Sequence, residues 1–214
     1  MASKESAEKL NIAMLGHKRI PSREGGIEIV VEELSKRMAA RGHSVTCYNR
    51  NGHHVGGKQF DSRHLPEYKG VRLKYVPTLN RRGLAAMTSS VTASIEAALG
   101  KYDVVHFHAE GPSFMCWLPK LFGKRIVVTI HGLDHQRAKW GKAASTYIML
   151  GEKNAVRYAD EIIVLSRGVQ EYFRDTYGRK TRFIPNGVNR PTIREADEIK
   201  KKYGLEKDSY LNAA

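Results

Sequence analysis

Ile126-Val127-Val128-Thr129-Ile130 is a run of five β-branched residues, and no other stretch of the chain narrows the fold as far. Such a run, with no polar alternation, forms a strand buried on both faces, which belongs inside a parallel sheet covered by helices on each side. His131-Gly132 stops the run, and a polar loop with Asp134, His135, Arg137, Lys139 and Trp140 follows. Open parallel sheets bind ligands just beyond the carboxyl ends of their strands. A histidine at that place is positioned for chemistry.

The rest of the chain repeats the same alternation. Asn11 to Leu15 reads as a short strand ended by Gly16. A polar loop with Lys18, Arg19 and Arg23 leads through Gly25-Gly26 into a helix. Ile27, Val30, Val31, Leu34 and Met38 form one helical face. Glu28, Glu32 and Glu33 come early in it, Lys36, Arg37 and Arg41 late, as the helix dipole favours. Gly42 stops the helix and a second strand runs to Tyr48, completing a βαβ unit. Asn49 to Gly70 reads as one long polar loop. Further strands are expected at 71–76, 103–108, 161–165 and 181–184. Helices are expected at 84–98, 113–122, 142–158, 166–175 and 194–203. The fold class expected is α/β, a Rossmann-like, doubly wound, mostly parallel sheet with helices on both faces.

Composition bounds the function. Of 214 residues, 36 are Lys or Arg and 22 Asp or Glu, a net charge of +14. Such an excess attracts anions: nucleic acid, an anionic membrane or phosphorylated ligands. Cys47 and Cys116 sit in apolar surroundings and suggest buried thiols in a reducing compartment. The N-terminus has no apolar run of the kind a secretory leader needs, and no stretch approaches the ~20 apolar residues of a membrane span. A cytoplasmic protein, with at most peripheral contact on the inner membrane face, is expected.

Several nucleotide folds fail at their motifs. Gly16 followed by Gly25-Gly26 is not G-x-G-x-x-G, and Asn49-Arg50 stands where a ribose-binding acid would. There is no P-loop and no G-x-S-x-G elbow. Gly25-Gly26 still allows close approach to the backbone, and the amides of the following helix favour an anion such as a diphosphate. A plain flexible turn explains the pair equally well.

Six motifs then come in order: G-x(8)-G-G before the first helix, R-G-H-x-V at 41–45, D-V-V-H-F-H at 103–108, V-T-I-H-G-L-D at 128–134, A-D-E-I-I-V-L-S at 159–166 and F-I-P-N-G-V at 183–188. Together they resemble the retaining glycosyltransferases of family 4 (group 1), which have the GT-B fold. The G-G-I-E-x-x-V-E-E-L stretch is most similar to bacterial rhamnosyltransferase-like members that build surface polysaccharide. The resemblance implies an N-terminal, acceptor-binding domain over residues 1–190. Residues 191–214 would be a helix and tail leading toward a C-terminal donor-binding domain not included here, so that the chain would be truncated and inactive by itself. The family's E-x7-E motif belongs to that second domain; Glu24/Glu32 and Glu198/Glu206 match its spacing by accident.

The resemblance also implies roles. His131 would contact the donor sugar and orient it or stabilise its developing positive charge. Gly25, Gly26 and Ser166 would lie against the donor. Asp134, Arg137, Lys139 and Trp140 would grip the acceptor. Each has a plainer explanation: a strand-end histidine bonded to backbone, a turn, a solvated charged loop, an aromatic that anchors the next helix. The partners implied are a nucleotide sugar, which is a substrate and not a cofactor, and a carbohydrate or lipid-linked acceptor. No metal is expected, although His106, His108 and His131 offer an alternative three-histidine site and with it a metal-dependent hydrolase. The other alternative is an anion- or nucleic-acid-binding α/β module without catalysis. No basic strip interleaved with aromatic residues supports nucleic acid.

Overall fold

The computed structural model describes residues 8–23, 25–52, 64–79, 81, 84–133, 141–190 and 201–204. The strands are β1 (Asn11–Leu15), β2 (Ser44–Arg50), β3 (Glu67–Tyr68), β4 (Val71–Val76), β5 (Val104–His108), β6 (Arg125–Ile130), β7 (Glu161–Val164) and β8 (Arg182–Phe183). The helices are α1 (Gly26–Ala40), α2 (Leu84–Leu99), α3 (Trp117–Leu121), α4 (Lys142–Tyr158) and α5 (Arg167–Tyr177), with a 3-10 turn at Gly111–Met115. They build one sheet in the order β3-β4-β2-β1-β5-β6-β7-β8. Every neighbouring pair is parallel except β3 and β4.

Side chains alternate between two cores. Ala13 and Leu15 of β1, Val105 and Phe107 of β5 and Ile126, Val128 and Ile130 of β6 face α2, α4 and α5, whose Ala93, Ala97, Ala155 and Phe173 fill the space. Ile12 and Met14 face the other way, onto Val31, Ile27, Leu34 and Met38 of α1. Helices therefore cover both faces, as expected.

Three features depart from the sequence reading. Within the stretch taken as one loop, β3 pairs with β4 through a two-residue turn in which Lys69 and Gly70 both have positive φ, 50° and 79°. That backbone suits the twist of a hairpin. Helix α1 buries Glu28, Glu32 and Ser35 along with its apolar side. Glu28 accepts from the Lys18 amide at 3.0 Å, Glu32 lies 3.2 Å from both Arg23 and Lys36, and Ser35 pairs with Cys47 at 3.2 Å. The partners satisfy groups that would otherwise be costly to bury. Third, the expected helix at 113–122 divides into the 3-10 turn and α3. Gly151 lets α4 lie directly on that turn; a methyl there would meet the Gly111 carbonyl oxygen at 3.1 Å and the Glu110 carbonyl closer still.

Cys47 and Cys116 are free and buried. No described helix is long and apolar enough to cross a membrane. The expected 194–203 helix falls largely outside the described residues.

Candidate active site

In the sheet order, β1 has β2 on one side and β5 on the other, so connections leave in opposite directions and a crevice opens at the carboxyl ends. Gly16 and His17 follow β1, Ala109 and Glu110 follow β5, and His131 follows β6. The crevice is closed tightly at its base. Gly16 has φ +101°, and a methyl on it would lie 3.1 Å from the His108 nitrogen and carbonyl carbon, with the oxygen nearer. Ala109 is held at φ +76°, a conformation that costs a non-glycine residue roughly 1–2 kcal/mol. Its amide donates to the Thr129 carbonyl at 2.9 Å, and its own carbonyl accepts from the Ser113 hydroxyl at 2.8 Å.

Three histidines line the α1 side of this edge. The His106 and His108 rings stack with centroids 4.2 Å apart, as period-2 neighbours on one strand face. His106 Nε2 pairs with Thr129 Oγ1 at 2.8 Å. His108 Nδ1 pairs with His131 Nε2 at 3.2 Å. Burial pushes His106 down to about 3, with the neighbouring His131 adding to the effect. Burial likewise holds His108 well below the ordinary imidazole range, assisted by His106, His131 and His17. Both rings are neutral at pH 7, and His131 alone of the three is partly exposed. Nitrogens that bond to one another and to Thr129 do not converge on one point. Among the described residues no group of three metal-ligating side chains does so. The three-histidine metal site is thus replaced by a relay of rings that holds His131.

Asn49, which the sequence showed only as the absence of a ribose-binding acid, joins Glu28 in holding the loop after β1. Asn49 Oδ1 accepts from the Ile20 amide at 3.1 Å, and Asn49 Nδ2 donates to the Ile20 carbonyl at 2.9 Å. His17 Nε2 lies 3.1 Å from the same Oδ1, which makes it the protonated nitrogen. Burial lowers His17 to about 4. The signal for His17 is its place: only Gly16 separates it from the end of the apolar strand β1.

The two glycines before α1 differ. A methyl on Gly25 would lie 3.1 Å from the Glu28 Cδ and nearer to its carboxylate oxygen, whereas one on Gly26 would meet nothing within 4 Å. The open space in front of Gly26 is where a ligand can reach the first turn of the helix, and no side chain caps that turn. Ser166 lies at the same edge, after β7; its hydroxyl accepts from the Val169 amide at 3.3 Å and caps α5. Asp134, Arg137, Lys139 and Trp140 lie outside the described residues.

The sequence profile described as Glycosyltransferase Family 4 matches residues 24–190, well over half of the chain. The chain belongs to glycosyltransferase family 4. Within the family, it is 24% identical over 217 aligned positions to a D-inositol 3-phosphate glycosyltransferase of Thermomonospora curvata, covering 87% of this chain and 48% of that protein. A protein of the same description from Geodermatophilus obscurus is 25% identical, covering 87% and 45%. The chain thus spans about half the length of the curated relatives it matches. Among solved structures, Anabaena Alr3699/HepE in complex with UDP and glucose superposes with a TM-score of 0.64 at 16% identity, over 91% of this chain and 50% of that one. Arabidopsis thaliana UGT89C1 with UDP-L-rhamnose gives 0.51 at 11% identity, over 84% and 52%. These likenesses establish the fold, the Rossmann-like sheet of a GT-B glycosyltransferase.

Proposed function

We propose that this chain is the acceptor-side half of an enzyme that transfers a sugar from a nucleotide sugar to a carbohydrate or lipid-linked acceptor, with retention, in bacterial surface polysaccharide synthesis. The observation that carries the reading is His131, partly exposed at the carboxyl end of β6 and tied by one nitrogen to the buried, neutral His108. In transfer, the bond from the anomeric carbon to the diphosphate breaks, positive charge develops on the sugar, and an acceptor hydroxyl oxygen bonds the anomeric carbon while its proton passes to the departing diphosphate. An imidazole fixed beside the ring by the buried His108 orients the sugar as that charge develops. The Gly25-Gly26 turn approaches the donor, with Gly26 leaving room for it, and Ser166 lies at the same edge. Asp134, Arg137, Lys139 and Trp140 take the acceptor. The relatives named for D-inositol 3-phosphate, and the structures holding UDP or UDP-L-rhamnose, support a nucleotide-sugar donor and a polyhydroxy acceptor.

With about half the length of its relatives, the chain by itself is expected to turn over no donor. The proposal includes a cytoplasmic location and peripheral contact with an anionic membrane, supported by exposed Leu121 and Phe122 at the amino end of β6, next in sequence to Lys124 and Arg125. Vesicle binding that ignores anionic lipid content would remove that part. The main test is release of nucleoside diphosphate from a panel of nucleotide sugars by the gene product carrying this chain, wild type beside His131→Ala. A loss of about a hundredfold for one donor is expected, the scale of a lost transition-state contact. Turnover unchanged by the substitution would make His131 a structural residue.

A further inference from the structure

We propose that Arg50 anchors an oxyanion, a phosphate or carboxylate group carried by the acceptor, at the carboxyl end of β2. The backbone there is rigid: the Arg50 amide donates to the Lys18 carbonyl at 2.7 Å. Strand alternation puts the Arg50 side chain with Tyr48, on the α2 and α4 face and opposite the histidine row. Its guanidinium makes no hydrogen bond or ion pair with any described residue, and its Nε is buried without an acceptor. Burial depresses its pKa, and Glu28 and Tyr147 are the groups whose fields oppose that depression. Arginine stays charged nonetheless.

The neighbouring arginines do not share this condition. Arg19 donates to the carbonyls of Arg50 at 3.1 Å and Gly52 at 2.8 Å, and Arg23 pairs with Glu32 at 3.2 Å. A mostly buried cation without a partner is unfavourable for the fold, and an entering anion removes the penalty. A second donor is at hand. The Tyr147 ring packs edge-on against Phe114 at 5.0 Å, and its hydroxyl lies beside Ser90. Burial pushes that phenol up to about 12, so it keeps its proton and can donate. The guanidinium fork donates to two oxygens of one planar or tetrahedral anion, which an ammonium group does not reproduce. The opposite sheet face carries His131 and the open Gly26, so the Arg50 anion is assigned to the acceptor and not to the donor diphosphate. That assignment, though not the anion site itself, rests on the transferase reading.

The test uses this chain as wild type, Arg50→Lys and Arg50→Gln, followed by calorimetric titration and thermal unfolding with glycerol 1-phosphate, inorganic phosphate, UDP and glycerol. Glycerol 1-phosphate is expected to bind and protect the wild type, glycerol to do neither, and both substitutions to weaken the phosphate ester tenfold or more. Inorganic phosphate is expected to bind more weakly than the ester. Without ligand, Arg50→Gln is expected to unfold at a temperature no lower than the wild type, because it relieves an unpaired charge. A lower unfolding temperature would make Arg50 a structural residue and overturn the proposal. So would binding of the ester that is absent in the wild type or unchanged in both variants. Protection through Arg50 by UDP alone would move the anion to the donor and overturn the acceptor assignment; protection by inorganic phosphate equal to the ester would overturn it too. Binding through Arg50 by a protein whose gene product turns over no nucleotide sugar would sink the transferase reading and leave the site standing.

Discussion

Replacing Gly16 with alanine tests the geometry at the base of the crevice most directly. At φ +101° an alanine is strained by roughly 1–2 kcal/mol relative to glycine. Its methyl would also lie 3.1 Å from two backbone atoms of His108 and closer to a third, and backbone moves less readily than a side-chain tip. Forcing that separation is an overpacking cost of about 1–3 kcal/mol. The two contributions together give about 3 kcal/mol, which for a chain of this size lowers the unfolding midpoint by roughly 6–12 °C. Gly26→Ala is the matched control. Nothing stands within 4 Å of the added methyl, and alanine in the first helical turn is expected to leave stability equal or raise it by up to about 1 kcal/mol. Circular dichroism melts and urea titrations of both variants read the difference. A Gly16→Ala protein within 1 kcal/mol of the wild type would refute the close approach of β1 and β5. A Gly26→Ala protein as unstable as Gly16→Ala would refute the open space in front of α1.

Asn49→Ala removes the bonds to Ile20 and His17 together and strands buried partners; a loss of about 2–4 kcal/mol in urea unfolding is expected, and a loss below 1 kcal/mol would show the loop is held by other contacts. His17 and His106 titrate near 4 and near 3 in the fold against an ordinary 6.5, so the unfolded chain binds the extra protons. Stability is therefore complete above pH 6.5 and falls as pH drops toward 4, by about 2 kcal/mol for each histidine between pH 7 and pH 5; a urea midpoint that is flat over that range would contradict the burial of both rings. His108→Phe takes from His131 the partner of its Nε2, and nitrogen-15 spectra of the imidazoles are expected to show the His131 tautomer populations shift, with unchanged populations counting against the relay.

The elements whose periodicity is carried by apolar residues were legible: the Ile126–Ile130 run lies within β6, and Lys142 to Tyr158 is α4 as expected. What escaped was wherever polar groups do structural work. In the sequence Glu28 and Glu32 show only as acids near the start of a helix, because their partners, the Lys18 amide and Arg23, come from a loop whose path no periodicity reveals. The β3–β4 hairpin hid because Lys-Gly lacks the asparagine that announces such a turn. The motifs themselves hold two kinds of residue, which only geometry separates. Asp103 accepts from the Asn11 amide and Asp160 from the Ile126 amide, each at 2.7 Å, so both aspartates fasten the start of a neighbouring strand, at the first residue of β1 and the second of β6. They recur in the sequence pattern for the sheet's sake. At the opposite edge His131 is partly exposed and pairs with His108, and Gly26 faces open space. Arg50 belongs with them, and the sequence marked it only by the acid that is missing there. A side chain whose charge or polarity the fold leaves unanswered, at the edge where such sheets bind ligands, is the physical signature of a site. By that criterion Arg50, whose Nε is buried without an acceptor, is the side chain to test first, while the roles proposed for His131 and the glycine turn rest on their placement at this edge.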